Sequence, residues 1–89
     1  MNDQETNERA DALALSALGW ILGDQKRADR LLALTGLSPA DLRDGLSDPA
    51  LLAAVLGFLE AHEPDLLACA EALGVDPDRL IAARVRLEP

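Results

Sequence analysis

The chain has 89 residues, 49 % of them hydrophobic and 27 % charged, and a formal net charge of -8, a composition that suits one small globular domain and excludes a disordered one. Sixteen acids against eight Lys plus Arg disfavour nucleic acid and anionic membranes as partners, and the single cysteine, Cys69, excludes an internal disulfide. The start of the chain is acidic, unlike a signal peptide, and the apolar run Ala12 to Leu22 is too short to span a bilayer, so a cytoplasmic protein is expected.

Residues 1 to 6 are polar and are expected to form a disordered tail, followed by a single helical domain over 7 to 89. The first helix is predicted from about Asn7 to Leu22, with Gly23 as its stop and Asp24 as the next N-cap. Helix two, about Gln25 to Leu34, sets Ala28, Leu31, Leu32 and Thr35 on one face and Lys26, Arg27, Asp29 and Arg30 on the other.

"TGLSPADL" (35–42) reads as a joint between helices. Gly36 suits a left-handed stop of Schellman type with Leu37 folded on Leu32. Ser38 is a cap, Pro39 a first helical residue, and Leu37 and Leu42 a hydrophobic staple. "LGVDPDRL" (73–80) repeats the design with Gly74, Asp76, Pro77, Val75 and Leu80. Prolines at 49 and 64 mark two further starts, with Ser47 read as a cap. The remaining helices are therefore placed at about Pro39–Leu46, Pro49–Ala61, Pro64–Leu73 and Pro77–Arg86.

Shifting the sequence by 38 residues matches Leu13, Leu18, Gly19, Gly36, Pro39 and Leu42 with Leu51, Leu56, Gly57, Gly74, Pro77 and Leu80, and Trp20 with Phe58. The fold class expected is all-α, a compact bundle of five or six short helices. The shift adds the option of two pseudo-equivalent three-helix halves. Helices one and four, apolar nearly all round, are expected at the centre and to cross near Gly19 and Gly57, because a helical glycine costs about 1 kcal/mol that packing should offset. The expected core is Leu13, Leu18, Trp20, Ile21, Leu31, Leu32, Leu42, Leu52, Val55, Leu56, Phe58, Leu59, Leu66, Cys69, Leu73, Leu80 and Ile81.

Chemistry-bearing constellations are few. Glu60, His62, Glu63 and Asp65 cluster, but zinc needs a second His or a Cys at suitable spacing, so a solvated corner is the better reading and no metal is assigned. Cys69 shares a face with Leu66 and Leu73, which fits a buried hydrophobe. The hydroxyls Thr6, Ser16, Thr35, Ser38 and Ser47 have no base placed to activate them, so no catalytic residue and no cofactor are assigned and an enzyme is not expected.

Two non-enzymatic readings remain. The preferred one is a protein–protein interaction or scaffold module, with an unidentified partner or as a homodimer. It would use the basic stretch Lys26, Arg27 and Arg30, set against an ordinary solvated face, and the surplus Leu15, Leu22 and Leu46 as an apolar patch. The alternative is a helix-turn-helix-like DNA-binding protein using 68–86, whose last helix carries Arg79, Arg84 and Arg86. Against it, Asp76 and Asp78 would lead that helix towards phosphates.

Trp20, Asp24, the Thr35-Gly36-Leu37 turn with Pro39, Phe58 with Leu59, and the Gly74 and Pro77 turn lie in a stretch, Ala12 to Leu87, that resembles a small family of alphaproteobacterial helical proteins described as a domain of unknown function. The resemblance implies an all-α, intracellular bacterial protein. It assigns no activity and no catalytic residue.

Overall fold

A computed structural model describes the backbone of residues 3–89 and the side chains of residues 9–89. Its described residues form six helices and no strand: α1 (Asp3–Leu22), α2 (Gln25–Thr35), α3 (Pro39–Asp44), α4 (Pro49–Glu60), α5 (Glu63–Leu73) and α6 (Pro77–Leu87). The chain is an all-α bundle, and its radius of gyration, 12.1 Å, is that of one packed domain of this length. α1 begins four residues before the expected Asn7; of the anticipated tail, residues 1 and 2 lie outside the described residues.

Local chemistry sets the joints. The Asp24 carboxylate accepts the N–H groups of Lys26 and Arg27 at 2.9 and 3.1 Å, capping α2. Gly36, at φ 75°, ends α2 with its N–H on the Leu32 carbonyl, the simpler left-handed stop; Leu37 donates instead to Thr35 Oγ1. The full Schellman pair closes α5, where Gly74 (φ 69°) donates to Glu71 and Val75 to Ala70. Ser38 and Asp41 form a reciprocal capping box on α3, and the Ser38 bonds hold the Asp41 carboxyl below its usual range. Ser47 is not a cap. Asp48 takes that place, accepting the Ala50 N–H at 3.0 Å.

α3 stops at Asp44, two residues short of expectation; Gly45 follows it, at a point where a Cβ would lie 2.5 Å from the tip of the Leu51 side chain and 2.9 Å from the Asp41 carbonyl oxygen. The two three-helix segments consequently share their glycine stops and the lengths of α2 and α5, and differ at the third helix, which has 6 residues in α3 and 11 in α6.

α4 packs against α1, α2, α5 and α6, with Leu52, Val55, Leu56 and Leu59 at 1 % exposure or less. α6 completes the centre by packing on both α1 and α4, a role its sequence did not announce. The expected crossing of α1 and α4 at Gly19 and Gly57 does not occur. Gly19 faces solvent, with nothing within 4 Å of where a Cβ would lie, and Gly57 lies under the stem of Arg84, 3.7 Å from where its own Cβ would be. Nothing in the structure explains Gly19. Leu13, Trp20, Leu32, Leu73 and Ile81 flank the core rather than fill it, while Ala10, Ala14, Ala17, Leu51, Ala53, Ala70, Ala83 and Leu87 are buried additions to it. Small residues on α1 and α6 allow close helix approach.

Candidate functional site

The basic stretch at the start of α2 is largely committed to the fold. Arg27 folds back over Trp20, its guanidinium carbon 3.7 Å from the ring centroid, and donates to the Trp20 carbonyl at 2.6 Å. Arg30 donates to Asp65 on α5 at 2.8 Å, and His62 Nδ1 lies 3.0 Å from the same carboxylate. Lys26 alone of the three projects without a cross-helix contact, on an exposed position. Leu15, Leu22 and Leu46 are exposed at 40, 47 and 43 %, with Leu15 and Leu22 two turns apart on one face of α1.

Asp65 thus joins α2 to the start of α5 through Arg30. Among the described residues no group of three or more His, Cys, Asp and Glu is arranged to hold a metal ion. Cys69 is fully buried, and burial pushes its thiol up to about 11, the opposite of what a nucleophile needs.

The packing of α6 on α1 creates a surface that neither helix has alone. Between them runs an open groove of about 580 Å³ with a floor of Ala10, Leu13 and Ala83 and an apolar lip of Ala82 and Val85, the latter 58 % exposed. Three arginines, Arg9, Arg79 and Arg86, rim it, and no acid among the described residues lines it. Arg9 and Arg86 also hold contacts within the chain. On a protein of net charge -8 the groove brings three arginines together around an apolar floor.

Arg84, the middle cation of α6, points elsewhere. It grips Glu60 at the end of α4 through Nε and, at 3.3 Å, through a second nitrogen, and it also engages Glu88.

A family model described as a protein of unknown function, DUF3572, matches residues 7–89. The chain belongs to the DUF3572 family. No curated protein and no solved structure matches it. The DUF3572 match covers the groove completely, since Arg9 and Ala10 open it and Arg86 closes it.

Sequence reasoning missed this groove in the DUF3572 chain for a definable reason. On α6, Arg79, Ala83 and Arg86 follow i, i+4, i+7 spacing and so share a face; on α1, Arg9 and Leu13 do the same. The pattern was there, but nothing local says that these two faces meet.

No helix among the described residues is long and apolar enough to cross a membrane.

Proposed function

We propose that the protein is a non-enzymatic, cytoplasmic interaction module that docks a protein partner in the groove between α1 and α6. The observation that carries this reading is the apolar floor rimmed by Arg9, Arg79 and Arg86 on an otherwise acidic molecule. An open channel between two helices takes a third amphipathic helix in the manner of helix-in-groove recognition. The exposed apolar side chains Leu15, Leu22, Leu34, Leu46, Leu67 and Val85 lend support, being left over after the core is filled.

The DNA-binding alternative through 68–86 draws less support. Arg84 is engaged by two carboxylates, and the first turn of α6 presents Asp78 beside the capping Asp76. Phosphates would also gain nothing from the apolar floor.

Affinity capture from cell extract, with wild-type and Val85→Asp protein as bait and with and without nuclease, tests the reading. A protein retained under nuclease and lost with the variant is the expected result. Recovery that depends on nucleic acid would support the alternative, and equal recovery by both baits would remove the groove from consideration.

A further inference from the structure

We infer that the groove's partner is a second copy of this chain, whose α5 outer face supplies the acidic, apolar ridge that the groove fits. This rests on the docking role proposed for the groove and names its occupant. α5 carries Glu63, Leu67 and Glu71 at four-residue spacing, all exposed, with Leu67 at 48 %. A leucine between two carboxylates is the complement of an apolar floor between arginines.

Two of these charges are placed against their own helices. Glu71 lies in the last turn of α5, at the negative end of the helix dipole. Arg79 lies in the first turn of α6, at the positive end. Both are exposed, and neither makes an ion pair or side-chain hydrogen bond with any described residue. Each is locally unfavourable in the single chain, and pairing one with the other across two copies relieves both. The net charge of -8 opposes association at long range, but at physiological salt that field is screened beyond about 8 Å, whereas a seated ion pair acts at contact. Leu67 and Val85, both left exposed in one chain, are covered by the same contact.

A surface that recognises its own kind needs no other molecule for its test. Sedimentation equilibrium on wild-type protein, Glu71→Arg, Arg79→Glu and an equimolar mixture of the two variants reads the contact directly. Wild type is expected to self-associate reversibly, and each variant about tenfold more weakly, since like charges then oppose each other. The mixture is expected to recover wild-type affinity, because each altered charge meets its opposite on the other chain. Loss of association through unfolding is distinguished by circular dichroism, and Glu71→Arg brings a cation to a helix C-terminus, which favours the helix. A wild type that stays monomeric at high concentration, variants that associate like wild type, or a mixture that fails to recover would each overturn the inference. If wild type is monomeric while Val85→Asp still abolishes capture from extract, the second-copy inference fails and the interaction role stands; if capture is also indifferent to the variant, both fall.

Discussion

Cys69 shows how a single side chain reports on its surroundings. At 0 % exposure its thiolate has no water to stabilise it, so the thiol is held up to about 11 against 9.0 for a free one. Below about pH 7.5 the thiol is protonated in both folded and unfolded chains and contributes no pH dependence. As pH rises further the unfolded chain ionises while the folded one keeps its proton, so stability falls between about pH 9 and 11 and then levels off, a loss on the order of 2 kcal/mol. Urea unfolding midpoints across that range should decline in wild type and decline less in Cys69→Ala. The chain suits the measurement, having no tyrosine and a single lysine to titrate nearby in pH. The burial of Cys69 was legible from its face on α5. The stacking of Arg27 on Trp20 was not, because it joins residues seven apart across the Gly23 turn, where helical spacing no longer applies.

Most helix ends in this molecule lie where short-range chemistry places them. Proline at first helical positions, Asp24, Ser38 and Asp76 as caps, and glycine in the left-handed region at 36 and 74 all act within four residues, which is why the sequence shows them. α3 depends on this most, being only 6 residues long. Ser38→Ala, which removes one half of the capping box, should cost about 1 kcal/mol and lower the melting temperature by roughly 4–8 °C. Ser47→Ala should change stability by no more than about 0.5 kcal/mol, because Asp48 is the residue that caps α4. Thermal melts of the pair separate the two serines that sequence alone placed in one class. Gly45 follows α3 at a crowded spot, where a Cβ would meet both the Asp41 carbonyl of α3 itself and the tip of the Leu51 side chain on α4, and the second of these neighbours has no trace in the local pattern.

For the whole molecule, the all-α class and the central place of α4 follow from an apolar run that could only be buried. The place of α6 does not follow, since "PDRLIAARVRL" carries arginines that suggest a surface helix. Its buried Leu80, Ala83 and Leu87 form a narrow stripe, and Arg84 is absorbed by Glu60 on α4, so a charged helix becomes part of the interior architecture. The groove inherits this illegibility, because it exists only where α6 lies on α1. A single core makes stability cooperative. Leu56→Ala should cost about 2–5 kcal/mol, a large share of the roughly 5–15 kcal/mol such a domain has. Urea curves followed by far-ultraviolet circular dichroism and by Trp20 fluorescence should shift together.

The pairing of α1 with α6 has a kinetic corollary. The interior cannot be sealed by neighbours in sequence, since its walls come from opposite ends of the polypeptide. Assembly must therefore surrender the freedom of nearly the entire chain before the last contacts return anything, and a nascent three-helix segment has no closed interior of its own to fall into. Such a molecule is expected to fold more slowly than its helix content would suggest, which refolding followed by Trp20 fluorescence would read.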